Sequence, residues 1–218
     1  QYQLSENQVF PESTNTLIVA NPTIVGQTNN SIFATQLPFS AAEANSISSI
    51  KGHMFTILAE DDASRDSLMR QALHTFDVIH FATHAVTNNQ VPDLGALVLS
   101  NITNNSNLLL SSDIKRFSLK ANLVVLSGCE TTIGQAVPGE GLLGLSRAFL
   151  QAGAYNVVGT LWPVKDDASA KLMSFFYDNL LSQGLSIRES LLLAQISIKN
   201  YKRKDGSRPW KDPYYWAG

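Results

Sequence analysis

The sequence has little of several features that define whole classes of protein. There is one cysteine among 218 residues, so no disulfide can form within the chain and a reducing, cytoplasmic setting is expected. No charged leader followed by an apolar stretch is present, and no uncharged apolar run is long enough to cross a membrane. We therefore expect a cytoplasmic protein with no membrane partner.

Charge is also in short supply. Charged residues make up 16% of the chain, and 16 Lys and Arg against 18 Asp and Glu give a formal net charge of −2. A dedicated nucleic-acid binder needs an excess of basic charge, so we expect no direct nucleic-acid partner. What the chain does have is apolar residues, at 44%, which is typical of a globular protein with a sizeable core.

The composition changes near residue 17. Residues 1–16 are polar and begin with Gln1 rather than methionine, so we interpret them as a linker from an upstream region of a longer protein. The remaining length favours one domain, over residues 17–218.

Short apolar runs alternate along this domain with segments of helical spacing. Strands are predicted at 17–20, 54–59, 76–82, 97–99, 122–127 and 156–161, and helices from 39, at 63–73, from 111, and at 141–151, 167–181 and 187–200. The run 122–127 is apolar without alternation, which indicates a strand covered on both faces. The pattern predicts an α/β sandwich with a mainly parallel central sheet flanked by helices.

Two residues capable of nucleophilic chemistry follow strands of this predicted sheet. His84 lies two residues past Ala82, where one strand ends, and Cys129 lies two residues past Ser127, where another ends. If the two strands are parallel neighbours, equal offsets bring the imidazole and the thiol together at the sheet edge where ligands bind. A nearby imidazolium lowers the pKa of a thiol from about 8.5 and so activates it. The other interpretation is a buried, inert cysteine beside an ordinary core histidine.

Two further motifs give weaker signals. His80 and His84 have a spacing that would suit a metal on a helix, but in a strand four residues span about 13 Å, so no metal site is expected. Gly139 to Gly144 read G-x-G-x-x-G, yet they do not follow a strand directly, and Glu140 would repel a phosphate. A nucleotide-binding regulator is therefore the weakest of the functions considered.

Several segments together resemble the CHAT domain family of caspase-like proteins. They include HFATH at 80–84 and LVVLSGCETT at 123–132, with further likeness at 139–141, 146–149, 152–154, 159–164, 173–177 and 213–217. The resemblance implies a caspase-like three-layer sandwich related to the caspase, separase and legumain cysteine endopeptidases. It also implies helical repeats, such as tetratricopeptide repeats, upstream in the same polypeptide.

The resemblance assigns catalytic roles to the same two residues. His84 would be the base and Cys129 the nucleophile, while the backbone N–H groups of Ala85 and Cys129 would hold the oxyanion. The family usually has glycine after the histidine, and alanine at 85 keeps the N–H group but is strained if φ must be positive. No cofactor and no metal are expected for this chemistry.

The resemblance also points to the residues that contact substrate. Ser127, two residues before the cysteine, would face the pocket for the side chain preceding the scissile bond, and it is small and neutral. Three carboxylates are candidates to supply charge and one aromatic residue is a candidate wall of the cleft, namely Glu130, Asp166, Asp167 and Trp162.

We therefore expect a cysteine endopeptidase that cleaves a partner protein or peptide under the control of upstream regulatory repeats. The other possibility is a catalytically inactive caspase-like scaffold or switch module.

Overall fold

The computed structural model describes residues 10–11, 13–25, 37–88, 95–102, 107–127, 130–133, 140–162 and 164–218. The strands are β1 (Asn15–Pro22), β2 (Met54–Glu60), β3 (Val78–Ala82), β4 (Ala85–Asn88), β5 (Ala96–Val98), β6 (Leu108–Leu110), β7 (Leu123–Leu126), β8 (Glu130–Ile133) and β9 (Val157–Gly159). The helices are α1 (Pro38–Ser48), α2 (Arg65–Met69), α3 (Ser111–Ile114), α4 (Glu140–Gln151), α5 (Asp166–Tyr177) and α6 (Ile187–Asn200).

The central sheet has five parallel strands in the order β2-β1-β3-β7-β9. Parallel neighbours need crossover connections, and helices supply them here. The chain moves outward from β1 to β2, returns to β3 on the other side of β1, and then continues outward. Side chains at the carboxyl ends of β1, β3 and β7 therefore meet at one edge.

Helices cover both faces of this sheet and give two separate cores. On one face Ile79 and Phe81 pack in a cluster with Phe149 of α4. On the other, Val78 and Ala82 pack in a cluster that includes residues of α1, α5 and α6. All of β3 and β7 is buried, as expected for parallel strands between two helical layers. The predicted caspase-like three-layer sandwich is confirmed.

A second sheet was not predicted as a separate unit. Its strands have the order β6-β5-β4-β8, with β4 and β8 parallel and the other pairs antiparallel. The predicted strand at 97–99 belongs to it, one residue earlier than expected. The strands β4, β6 and β8 were not predicted, because strands of three or four residues are too short to show a period and because β4 and β8 are rich in polar residues.

The helix predicted at 63–73 is the largest error among the helices. The chain forms only the short α2, which Ser64 caps by accepting a hydrogen bond from the Ser67 N–H, and then a 3-10 turn at Leu73–Thr75. The other departures are small. For example, the last turn of the helix predicted to end at 181 is a π-helical segment, Asp178–Ser182.

The first strand extends into the segment predicted to be a linker. β1 begins at Asn15, so it includes the last two residues of the predicted linker, and Phe10 is buried against the α1, α5 and α6 layer. Among the described helices, none combines the length and the apolar character needed to span a bilayer.

Gly153, in the turn after α4, gives a direct test of how tightly this framework is packed. Its φ is +108°, and an added Cβ would overlap the backbone carbonyl of Leu119. We expect Gly153→Ala to lower the free energy of unfolding by more than about 3 kcal/mol, because backbone strain and overlap add together. Gly206, with φ +84° and open space around it, is the matched control, and Gly206→Ala should cost about 1 kcal/mol. Urea unfolding measures both, and equal losses would contradict the close approach to Leu119.

Candidate active site

The paired strands β3 and β7 lead directly to the candidate site. Their register aligns Val78 with Leu123 and Phe81 with Leu126, and the Ser127 N–H donates to the Phe81 carbonyl at 2.8 Å. The segments that follow β3 and β7 pair again beyond this edge, where Ala85 of β4 aligns with Glu130 of β8. Paired residues are 45 positions apart in both ladders, so the register is the same before and after the edge.

His84 occupies this junction between the two sheets. It is buried, with 6% of its surface exposed, and its backbone carbonyl accepts a hydrogen bond from the Val98 N–H at 2.8 Å. Its backbone is therefore tied to β5 of the second sheet. Cys129 lies outside the described residues, so the pairing of the imidazole with the thiol stays a prediction.

A buried polar cluster surrounds His80 of β3, on the face of the central sheet that α1 and α5 cover. The Nε2 of His80 is 2.9 Å from Oε1 of Glu43 on α1, and its Nδ1 is 3.1 Å from the hydroxyl of Tyr177 on α5. All three side chains are at most 1% exposed. Buried charges are tolerated only when they are paired, so these contacts fix the positions of α1 and α5 against β3. Burial also raises the pKa of the Tyr177 hydroxyl well above its ordinary value, which keeps it neutral.

Asp166 is the first residue of α5, and it interacts electrostatically with Glu43 and His84. Its carboxylate accepts a hydrogen bond from the Phe39 N–H at 2.9 Å, which joins α5 to the start of α1. Burial raises the pKa of Asp166 above its ordinary value, whereas the Phe39 N–H lowers it. Glu43 adds to the rise and His84 opposes it, so the acid senses the charge of both side chains.

The other predicted substrate-binding residues lie at different distances from this junction. Ser127 is buried at the end of β7, and Glu130 shares a ladder position with Ala85. Trp162 donates from Nε1 to the Tyr214 carbonyl at 2.9 Å, and Asp167 is 3.9 Å from Arg203. The last two therefore contact the C-terminal segment of the chain.

Ala85 does not carry the backbone strain that alanine could have introduced. Among the described residues other than glycine, positive φ occurs only at Asn21 and Glu60. Alanine is therefore compatible with the backbone at this position.

Comparison with known proteins places this architecture in a family. The model of the CHAT domain matches residues 2–218. The chain belongs to the CHAT domain family. Tetratricopeptide repeat protein 28 of Mus musculus is 38% identical over 111 residues, and that of Homo sapiens is 34% identical over 111 residues. Each match covers 51% of this chain but 4% of the relative, so the chain spans a small part of those proteins.

A solved structure with a related arrangement is a Streptococcus pneumonia TIGR4 flavodoxin. It has 10% sequence identity and a TM-score of 0.42, and the match covers 78% of this CHAT domain and 98% of the flavodoxin.

The analysis of the sequence did not single out Glu43 or Tyr177 of this CHAT domain. One signal could have found Glu43, because its neighbours on the helix, Ala44 and Ile47, form the apolar face of α1, and an acid on such a face needs a partner. The partner itself is brought in by long-range packing that no local pattern contains. Among the described residues, no group of three His, Cys, Asp or Glu side chains could hold a metal ion.

The Glu43–His80 pair gives a stability prediction. Glu43→Leu and His80→Leu should each lower the free energy of unfolding by about 3 kcal/mol or more, because each leaves the other buried side chain without its partner. In Glu43→Leu/His80→Leu, two apolar side chains replace the pair, so the loss should be smaller than the sum of the two single changes. Chemical denaturation of the four proteins measures this cycle. Strictly additive losses would mean that the two side chains do not act as a pair.

The raised pKa of Asp166 predicts a pH-dependent effect. As pH rises through the ordinary carboxyl range near 4, the unfolded chain releases this proton before the folded chain does, so stability decreases until the folded pKa is passed. Asp166→Asn removes this decrease. The variant should therefore gain stability relative to the parent chain as pH increases from about 4 to 7, measured by urea unfolding at each pH.

Asp113 provides the control of opposite sign. Its hydrogen bond to Arg65, at 2.6 Å, is the largest cause of a lowered pKa. Its contribution is present above the unfolded pKa and is lost as pH falls through the folded value. Asp113→Asn should thus lose stability relative to the parent as pH rises from about 2 to 5, and the difference between the two proteins should stay constant above that range. The same sign for both variants would contradict the assigned environments.

Proposed function

We propose that this CHAT domain is a cysteine endopeptidase in which His84 and Cys129 form the catalytic dyad. The observation that carries the proposal is the common register of β3 with β7 and of β4 with β8. His84 and Cys129 immediately precede the paired residues Ala85 and Glu130 in the sequence, so this register would bring the two side chains to equivalent positions on neighbouring segments. Neighbouring strands are separated by about 4.8 Å, a spacing that suits a nucleophile and its base.

In the proposed mechanism, the His84 imidazole first accepts a proton from the Cys129 thiol and later donates it to the leaving amine. The imidazole takes the proton of the thiol, and the thiolate forms a bond to the carbonyl carbon of the scissile peptide. The C–N bond then breaks as the imidazolium returns its proton to the leaving amine. Water, deprotonated by the same imidazole, cleaves the thioester and restores the thiol.

The negative charge that forms on the carbonyl oxygen needs hydrogen-bond donors. The backbone N–H groups of Ala85 and Cys129 are the proposed donors, because they immediately follow or include the dyad residues. The ordinary φ of Ala85 supports this role, since alanine keeps the N–H group there without strain. Asp166, which senses the charge of His84, would stabilise the imidazolium.

The substrate would lie across the same edge. Ser127 is adjacent to it in the chain, and Glu130 follows the nucleophile directly. Asp166, Asp167 and Trp162, at and before the start of α5, would contact residues of the bound peptide. Since Trp162 and Asp167 contact the C-terminal segment, that segment would take part in shaping the cleft.

The substrate is proposed to be a partner protein or peptide, cleaved in the cytoplasm. Control is assigned to helical repeats upstream in the same polypeptide. The names of the mouse and human relatives support this arrangement, because both are tetratricopeptide repeat proteins that share a similar segment with this chain.

The dyad can be tested without knowing the substrate. The chain contains one cysteine, so the mass of the intact protein after iodoacetamide treatment reports alkylation of Cys129 alone. At pH 7 we expect alkylation about tenfold faster than that of free cysteine, because the imidazole increases the thiolate fraction. His84→Ala should remove this acceleration.

His74, an exposed histidine in the 3-10 turn, gives the matched control, and His74→Ala should alkylate like the parent. If Cys129 reacted no faster than free cysteine, or equally fast in His84→Ala, the chain would be an inactive caspase-like scaffold or switch.

A further inference from the structure

A pocket opens at the carboxyl ends of β7 and β9. Ser127 forms part of its lining, its apolar walls include Val164, Leu172 and Met173, and aromatic rings of Tyr215 and Trp216 complete it. The space left between these walls holds about three water molecules, which is similar to the bulk of one aliphatic side chain. It is therefore a site for a side chain rather than for a large ligand.

The lining is neutral. Among the described residues that form it, none is acidic, basic or histidine. The nearest carboxylates on α5 are engaged elsewhere, since Asp166 accepts from the Phe39 N–H and Asp167 contacts Arg203. A charged side chain entering this pocket would lose its hydration without gaining a partner, at a cost of several kcal/mol.

Two lysines lie near the aromatic wall but outside the lining. Nζ of Lys165 is 5.9 Å from the ring centre of Tyr215, and Nζ of Lys199 is 5.4 Å from that of Trp216. Both ammonium groups are held by these cation–π contacts. Their positive charge disfavours a basic occupant, and because they do not line the pocket they give an acidic occupant no direct partner.

The aromatic wall is fixed in place by hydrogen bonds to its backbone. Gln195 of α6 donates from Nε2 to the Trp216 carbonyl at 2.9 Å, and Trp162 donates to the Tyr214 carbonyl at the same distance. The wall is thus preformed, so binding a side chain there requires little ordering of the protein.

Ser127 supplies the second observation that points to a ligand. It is 6% exposed, and its Oγ makes no hydrogen bond with any residue that the structure describes. Buried hydroxyls are normally satisfied, and leaving one without a partner costs about 1–3 kcal/mol. The backbone of a bound peptide would provide the missing partner.

The position of this pocket in the chain connects it to the proposed dyad. Ser127 is two residues before Cys129, and two residues span at most about 7 Å. We propose, resting on the proposed function, that this pocket receives the side chain preceding the scissile bond and selects an uncharged aliphatic one. The substrate class is therefore a protein or peptide cleaved after an apolar residue, not after Arg, Lys or Asp.

The test uses peptidyl acyloxymethyl ketones that differ only in the side chain next to the reactive ketone. In these probes the thiolate sulfur bonds to the methylene carbon and a carboxylate leaves, so the intact mass of the full chain reports the rate at Cys129. We expect the leucine probe to react at least about 100-fold faster than the arginine and aspartate probes. Ser127→Ala should slow the leucine probe about fivefold and leave the ranking unchanged.

Ser127→Asp should shift the preference at least about tenfold toward the arginine probe, because it places a carboxylate in the pocket. Ser49, which is exposed after α1, is the matched control, and Ser49→Asp should keep the parent ranking. If Ser127→Asp does not fold, the ranking of probes on the parent chain still decides the proposal.

Iodoacetamide has no amino-acid side chain for the pocket to bind, so its reaction tests the proposed dyad separately from the selectivity of the pocket. Acceleration that depends on His84, combined with fastest reaction of the arginine or aspartate probe, would overturn the neutral pocket while leaving the peptidase intact. Iodoacetamide alkylation that does not depend on His84 would overturn the peptidase and the pocket's role with it.

Discussion

Parallel hydrogen bonding between β3 and β7 is the constraint on which the candidate site depends. These two strands are buried on both faces, so a shift of one residue would turn apolar side chains of one core toward the other. The two cores differ in shape and content, with Phe81 packed against Phe149 on one side and Val125 packed beneath α5 on the other. Core packing therefore fixes the register, and the register fixes which residues of the two chains leave the sheet together.

The buried cluster of His80, Glu43 and Tyr177 fixes a specific geometry at a cost in stability. A buried Glu–His pair contributes less to stability than apolar side chains of similar volume would. It does, however, specify where α1 lies against β3, because the buried carboxylate has to stay close to the imidazole. Glu43 and Tyr177 approach His80 from α1 and α5, the same two helices whose first residues are joined by Phe39 and Asp166. The positions of α1 and α5 are consequently fixed by two sets of contacts, one to His80 of β3 and one between the starts of the two helices.

The main architecture could be predicted from the sequence, because buried parallel strands and amphipathic helices have strong local signals. The run at 122–127 and the helix at 187–200 are examples, the latter with Ser186 and Glu189 as a capping box. The strand ends at Ala82 and near Ser127 also followed from these patterns, and His84 accordingly lies just beyond the end of β3. The parts that could not be predicted depend on distant contacts. β8 pairs with β4 across a long stretch of chain, and neither the neutral lining around Ser127 nor the partners of His80 leave a local trace.

The position of His84 between two sheets has a mechanical consequence. Ala85 belongs to β4, which pairs with β5 on one side and β8 on the other, while Ala82 still belongs to the central sheet. The segment that carries His84 therefore crosses from the central sheet to the small sheet within three peptide units. A displacement of the small sheet would carry the His84 backbone with it, because three peptide units leave little slack between two hydrogen-bonded ladders.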